Sequence, residues 1–298
     1  MALITGTANA DILVGTPLGD FFLGSAGDDN LRGKAGNDVI NGGEGNDVVY
    51  GGYGNDDLRG GNGSDLLWGR SGNDIVAGQA GNDVLRGGSG NDTLTGGDGN
   101  DIVYGGSGND TIMAGPGNDE ITGGSGFDTI DYSSFGGGIT GDMSTHIFSS
   151  QLGTSQVDGV ENVTGSHFAD TIFGDSTGNV LAGGASNDVL RGRGGTDTLT
   201  GGTGQDTFVF ARSDVFSKGV HHGVDRITDF SLLDKIDVRD FFKGQIVSDY
   251  SQVMKLTVDG DHTTLSIKTG ESFMDVASLT GHFANSVQTL VHDHIILT

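Results

Sequence analysis

The sequence predicts an all-β fold: a parallel β-roll (a β-solenoid) in two blocks, followed by a β-rich C-terminal domain. Three observations predict it. An aspartate recurs every nine residues from Asp11 to Asp128, and the period resumes from Asp170 to Asp206 with Asn179 as its one exception. An apolar residue follows each by two positions, from Leu13 and Phe22 through Val103, Ile112, Ile121 and Ile130, then Ile172, Leu181, Leu190, Leu199 and Phe208. Glycine, 57 of the 298 residues, fills most of the other fixed positions. Self-similarity at a fixed period is the signature of a stacked repeat architecture.

One unit shows why it stacks. In "GGEGNDVVY", "GGSGNDTLT" and "GGDGNDIVY" the first six residues read as a turn, because glycine tolerates positive φ and Asn and Asp favour turns. The last three read as a short strand whose middle side chain faces inward, by the two-residue alternation of strands. Two units close a coil of eighteen residues, and coils stack with rungs ~4.8 Å apart. The resulting core is one side chain thick.

Along the chain, fourteen units run to residue 131 and give a first roll over 1–131. A less repetitive connector occupies 132–164, and five further units in a new phase give a second roll over 165–209. The remainder, 210–298, is the C-terminal domain. Within it "KLTVDGDHTTLSIK" (255–268) reads as a hairpin around an Asp259-Gly260 turn. "ANSVQTLV" (284–291) reads as a short helix, and "HIILT" as a last strand.

Composition sets the energetic problem. A net charge of -25 with 34% hydrophobic residues leans towards disorder and excludes nucleic acid as a partner. No apolar run approaches the ~20 residues of a membrane-spanning helix. Cysteine is absent, which excludes disulfides. The N-terminus "MALITGTANADIL" lacks a basic segment before an apolar core, so no Sec-type signal is expected. In the stack, aspartates of alternate units pile on two edges, and carboxylates one rung apart repel by roughly 3 kcal/mol at an effective dielectric near 20. A hard dication between rungs converts that repulsion into ligation. Carboxylates and turn carbonyls suit the six to eight oxygens of Ca²⁺ better than the small octahedron of Mg²⁺.

The candidate metal ligands are therefore Asp20, Asp29, Asp38, Asp47, Asp56, Asp65, Asp74, Asp83, Asp92, Asp101, Asp110, Asp119, Asp128, Asp170, Asp188, Asp197 and Asp206, together with turn carbonyls. Asp11 stands at the edge, in a unit where Asn9 replaces the fixed glycine at the fourth position, as Leu18 does in the next. On the order of ten to fourteen bound calcium ions are expected from this coordination logic.

The nonapeptide G-G-x-G-x-D-x-U-x, matched over residues 6–131 and 165–209, resembles the RTX (repeats-in-toxin) calcium-binding family. The resemblance implies a roll folded by calcium outside a bacterial cell after passage through a type I secretion apparatus. Residues 157–175, 201–210 ("GGTGQDTFVF") and 225–241 ("DRITDFSLLDKIDVRDF") are similar to the C-terminal region of serralysin-type secreted metalloproteases. That likeness implies that the tail caps the second roll and carries an uncleaved secretion signal.

No H-E-x-x-H zinc motif, G-x-S-x-G elbow or P-loop is found, and with only residues 1–5 ahead of the first repeat no separate catalytic domain is expected. His221-His222 and His292/His294 read as loop and strand-face histidines. The expected function is a secreted, non-enzymatic calcium-binding structural or interaction module. The alternative is an accessory carbohydrate-binding or membrane-active module of a larger extracellular activity, such as a protease, epimerase or toxin-like system. One outer face carries a ladder of Tyr50, Trp68, Arg86 and Tyr104 beside Val48, Leu66, Val84 and Ile102. Such a patch marks an interface, with another part of the chain, a second copy, a glycan or a protein partner.

Overall fold

The computed structural model of the protein describes residues 2–217, 220–221, 223–243, 253–259, 262–269, 272–280 and 295–296. His222, His292, His294 and the helix expected over 284–291 lie outside them. The chain forms two compact units: Met1–Tyr132 with His146–Asn162, and Ser133–Thr145 with Val163–Thr298. The segment expected as a connector is thus shared between the two.

The first unit is a parallel β-roll. One sheet stacks Leu3–Thr5, Phe21–Ala26, Val39–Glu44, Asp57–Asn62, Ile75–Ala80, Thr93–Asp98, Thr111–Met113 and Thr129–Asp131. The other stacks Ile12–Val14, Asn30–Ala35, Val48–Tyr53, Leu66–Ser71, Val84–Ser89, Ile102–Ser107, Glu120–Ser125 and Gly153–Asp158. Partners are offset by one full coil, as in Leu67 opposite Leu85 and Leu85 opposite Val103. Consecutive units therefore alternate between sheets, and every second unit shares a face.

Most strands are six residues long, where the sequence predicts three. The pairing continues through the two glycines of the turn, with Gly88 opposite Gly106 and Ser89 opposite Ser107. Identical backbone lies one rung away at every point, so the N–H groups of the turn donate to the neighbouring coil, as Gly90 does to Ser107 at 2.8 Å. Backbone groups that would need water in a free turn are paired instead. Between the sheets the inward residues Phe22, Leu31, Ile40, Val49, Leu58, Leu67, Val76, Leu85, Leu94, Val103 and Ile112 are fully buried. Each contributes about 1.5–3 kcal/mol by leaving water.

Residues 146–162 are not a loop. Gly153–Asp158 forms the rung after Glu120–Ser125, with Gln156 opposite Glu120 and Val157 opposite Ile121, and Ile147–Ser150 folds back antiparallel beside it.

The second unit repeats the plan. Val180–Ala185, Thr198–Thr203, Asp225–Ile227 and Ser272–Thr280 stack in one sheet. Thr140–Asp142, Thr171–Phe173, Val189–Arg191, Thr207–Val209, Lys235–Asp237 and Ile295–Ile296 stack in the other. Met254–Asp259 and His262–Thr269 form the expected hairpin, and the latter strand also pairs antiparallel with Ser272–Thr280. Asp259 lies opposite His262 and is therefore a strand residue, not part of the turn; residue 260 lies outside the described residues. Parallel rungs thus continue past the nonapeptides to Ile236 opposite Ile295.

Candidate metal centre

Each aspartate sits where the strand begins and points along the stack. Its Oδ1 accepts the backbone N–H of the aspartate one coil earlier: Asp83 from Asp65 at 2.8 Å, Asp101 from Asp83 at 2.9 Å, Asp206 from Asp188 at 3.0 Å. This fixes the side chain and removes it from solvent. From Asp20 to Asp128, and at Asp170, Asp188, Asp197 and Asp206, no aspartate of the frame exceeds 3% exposure.

The second oxygen is the anomaly. In Asp29, Asp38, Asp47, Asp56, Asp65, Asp74, Asp83, Asp92, Asp101, Asp110, Asp128, Asp188, Asp197 and Asp206, Oδ2 is buried with no hydrogen-bond donor. A polar group removed from water without a partner is costly, and a charged one more so. What Oδ2 does face is a cradle beside the first glycine of its own unit. A Cβ on Gly87 would collide with Asp92 Oδ2 and lie 2.7 Å from the Gly105 carbonyl oxygen; Gly60 is placed likewise between Asp65 Oδ2 and the Gly78 carbonyl, at 2.8 Å from the latter. Glycine at this position is thus dictated by space. Carboxylate and carbonyl oxygens are both acceptors, so neither can satisfy the other. The cradle lacks positive charge.

The titration behaviour has the same origin. Burial pushes Asp74, Asp83 and Asp188 up to about 7, countered in part by the backbone N–H that each accepts and reinforced by like charges one rung away. Asp38, Asp47, Asp92, Asp101 and Asp128 rise to about 6, again chiefly through burial. Asp29, Asp56, Asp65, Asp110 and Asp206 shift upward for the same reason.

Three aspartates of the predicted set differ. Asp20 Oδ2 accepts the Thr16 N–H at 2.7 Å and its hydroxyl at 2.8 Å, while Oδ1 accepts the Ala2 N–H. These bonds, the Thr16 N–H first, hold its pKa below the usual carboxylate value. Asp170 is bonded by Ser166 and by the Ile139 N–H, and Asp119 Oδ2 by the Ser155 hydroxyl at 3.0 Å. Asp11 is capped by Thr7 as Asp20 is by Thr16. At Asp11, Asp20 and Asp119 a hydroxyl, and at Asp170 the Ser166 N–H, donates to the Oδ2 that has no donor in the other units. In these units Thr7, Thr16 and Ser166 replace the second glycine of the turn. Asn179 keeps the frame, since its N–H donates to Asp197 Oδ1 and its own side-chain oxygen accepts from Asp175.

Three further carboxylates join the ladder. Asp128 N–H donates to Glu161 Oε2 at 2.8 Å, Asp197 N–H to Asp225 Oδ1 and Asp206 N–H to Asp234 Oδ1, both at 2.9 Å. Asp225 is pushed up to about 8 by burial and by the neighbouring Asp197. The signal is present in the sequence: Asp225-Arg226-Ile227 and Asp234-Lys235-Ile236 repeat the D-x-U pattern nine residues apart, and Glu161 with Val163 stands nine before Asp170 with Ile172. Among the described residues, no three His, Cys, Asp or Glu side chains gather as a metal-holding group. Any centre here draws most of its oxygens from the backbone.

Alternating turn and strand, an inward aliphatic ladder and two edges of buried aspartate define a parallel β-roll of nonapeptides. The RTX calcium-binding nonapeptide repeat matches residues 5–39, 14–49, 23–58, 50–85, 78–112, 95–130 and 173–208, over half of the chain, and the chain belongs to that family. Among solved structures it is similar to the AlgE6R2 subunit of the mannuronan C5-epimerase from Azotobacter vinelandii, at 24% identity over 60% of this chain and 92% of that one, with a TM-score of 0.31. The AlgE6R3 subunit of that epimerase is 21% identical over 68% of this chain and 81% of its own, with a TM-score of 0.27. The extracellular lipase LipA from Serratia marcescens is 16% identical over 94% of this chain and 40% of its own, also with a TM-score of 0.27. No curated protein sequence matches the chain.

Proposed function

We propose that the chain is a secreted, non-catalytic module whose rolls fold when calcium enters the oxygen cradles. The observation that carries this reading is the set of fourteen buried Oδ2 atoms without a donor, eleven of them facing a backbone carbonyl across a space that only glycine leaves open. Calcium supplies the missing positive charge and accepts six to eight oxygens in an irregular shell. The residues fit it: Oδ1 of each aspartate stays on the backbone N–H and fixes the carboxylate, which leaves Oδ2 and the turn carbonyls free to ligate. The ligands are Asp29, Asp38, Asp47, Asp56, Asp65, Asp74, Asp83, Asp92, Asp101, Asp110, Asp128, Asp188, Asp197 and Asp206, with a stoichiometry on the order of ten to fourteen ions. Asp11, Asp20, Asp119 and Asp170, already bonded by hydroxyls, serve as metal-free joints in the same ladder.

Ligation free energy of this kind is folding free energy. A chain of net charge -25 stays expanded at cytosolic calcium and folds where calcium reaches ~10⁻⁴ to 10⁻³ M. That behaviour suits one-step passage through a type I secretion apparatus, and no helix among the described residues is long and apolar enough to cross a membrane. Circular dichroism of the full chain during a calcium titration, with magnesium as control, tests the reading. β-Structure is expected to rise cooperatively with calcium and not with magnesium; equal β content in EGTA refutes it.

A further inference from the structure

The first unit has five Lys or Arg residues up to residue 132: Arg32, Lys34, Arg59, Arg70 and Arg86. Arg59 pairs with Asp57. The other four lie on one sheet face, in two columns of neighbouring strands, and none of them has a carboxylate partner among the described residues. They are interleaved with aromatic rings. Arg70 lies 5.1 Å from the centre of the Tyr50 ring and 5.3 Å from that of Trp68, and Arg86 lies 5.7 Å from Trp68 and 4.6 Å from Tyr104. Tyr50 and Trp68 are 6.0 Å apart. Arg32, Lys34, Tyr50, Tyr53, Trp68 and Arg70 line an open groove of about 900 Å³. Tyr53 is 72% exposed and Trp68 37%.

Two of these cations are placed against the local preference of the chain. Lys34 and Arg70 occupy the second glycine position of their turns with φ of +87° and +84°, where Gly52 and Gly88 on the adjacent rungs have +127° and +121°. Six residues of the first roll replace that glycine, and four of them do so at positive φ; Ser25 and Gln79 lie on the other sheet, and both long cations fall on this one. Backbone held in a region that disfavours side chains concentrates at binding sites, where a function offsets the strain. The strand columns from Asn30, Val48, Leu66, Val84 and Ile102 across to Ala35, Tyr53, Ser71, Ser89 and Ser107 contain no acidic residue. In a chain of net charge -25 this is a local reversal of sign.

We propose that this groove, continued along the stack by Arg86 and Tyr104, binds a carboxylated polysaccharide, with sugars against Tyr50, Trp68 and Tyr104 and carboxylates on Lys34, Arg70 and Arg86. Stacked guanidinium groups present their N–H edges outward, in the fork that matches a carboxylate. The outward edges of the tyrosine and tryptophan rings, between the guanidinium groups that lie over their faces, meet the apolar C–H faces of pyranose rings. The rung repeat of ~4.8 Å is close to the length of one sugar ring, so successive rings meet successive rungs in register. A nucleic acid would bring its phosphates against the -25 charge of the whole chain, whereas a sparsely charged sugar chain needs only this strip.

The groove exists only on a folded roll, so the proposal rests on the calcium reading, and the test separates the two. The full chain in millimolar calcium is titrated with hyaluronan oligosaccharides and, as controls, dextran and poly-glutamate; Trp68, the only tryptophan, reports by fluorescence and calorimetry gives the affinity. Hyaluronan is expected to shift Trp68 emission saturably, with neither control doing so. Lys34→Gly and Arg70→Gly restore the motif glycine and so preserve the roll. Together they are expected to weaken hyaluronan at least tenfold while the circular dichroism and calcium midpoint stay at or better than wild type. A chain with no β signal in calcium refutes the calcium reading. A folded chain blind to hyaluronan, or bound equally by the double variant, refutes the groove. Equal binding of poly-glutamate reduces the site to charge alone, and an emission shift produced by protein concentration alone assigns the face to a second copy; either overturns the proposal.

Discussion

Asp83 offers a substitution that separates the two jobs of its carboxylate. Oδ1 holds the Asp65 N–H at 2.8 Å, while Oδ2 is buried without a donor and the group is pushed up to about 7 by burial. In Asp83→Asn the side-chain oxygen keeps the first bond, since an amide oxygen accepts an N–H as a carboxylate oxygen does. The amide nitrogen then replaces the ligating oxygen, and the buried charge is gone. Raising a carboxyl from 3.8 to about 7 makes its ionised form about 4 kcal/mol less favourable in the metal-free roll, and roughly half of that after allowance for solvent screening. In EGTA at pH 8, Asp83→Asn is therefore expected to show at least as much β-structure as wild type. In calcium it is expected to bind fewer ions and to fold at a higher calcium midpoint. Asp83→Ala loses both jobs, because it also strands the Asp65 N–H at a further cost of about 1–3 kcal/mol, and is expected to fall below Asp83→Asn in EGTA and below wild type in calcium. Circular dichroism gives the midpoint and equilibrium dialysis the ion count. An unchanged ion count and midpoint in Asp83→Asn would show that Oδ2 is not a ligand, and the argument built on the orphaned oxygens would fail.

Acid is expected to replace part of the metal. Carboxylates raised to about 6 or 7 in the folded roll bind protons that the unfolded chain has released, so their contribution is whole below pH 4 and is lost as pH climbs through 6 and 7. β-Content in EGTA should rise from pH 8 to pH 5, and a flat profile contradicts these shifts. Gly87→Ala puts a methyl group into the cradle of Asp92 and is expected to raise the calcium midpoint more than Gly136→Ala, where a Cβ meets nothing within 4 Å; equal effects would show that the cradle has no use. Leu85→Ala removes a fully buried rung of the core and should cost 2–5 kcal/mol in calcium-saturated urea unfolding, towards the low end if neighbouring rungs close the gap. Deleting the last ~60 residues should trap the chain inside an expressing cell with a type I exporter, and continued export would place the signal elsewhere.

The roll was legible because its period is a physical necessity. Leu67, Leu85 and Val103 must fall eighteen apart to share a one-side-chain core, and the sequence cannot hide that spacing. Strand length was not legible, because the glycines that read locally as a turn acquire partners only once an identical coil lies beside them. Asp20 and Asp170 carry the same letter as Asp83, and the difference sits four residues earlier in Thr16 and Ser166. Asp225 and Asp234 keep the D-x-U pattern after a spacing of nineteen from Asp206, so a search in steps of nine loses them. The rung built from Gly153–Asp158 has no aspartate of its own before its inward Val157, and a ligand-based search passes over it.

Alternation of consecutive units between the two sheets has an evolutionary consequence. The core and the aspartate ladder are indifferent to how many nonapeptides the gene carries, since every unit supplies both. The Tyr50–Trp68–Arg86 column is not indifferent. Gain or loss of one nonapeptide between Tyr50 and Trp68 would transfer everything downstream to the opposite sheet and cut the column in two. Gain or loss of two would only lengthen or shorten it. Selection on such a surface acts on parity, so the heritable quantum of length in this molecule is the eighteen-residue coil rather than the nine-residue repeat that a reader of the gene would count.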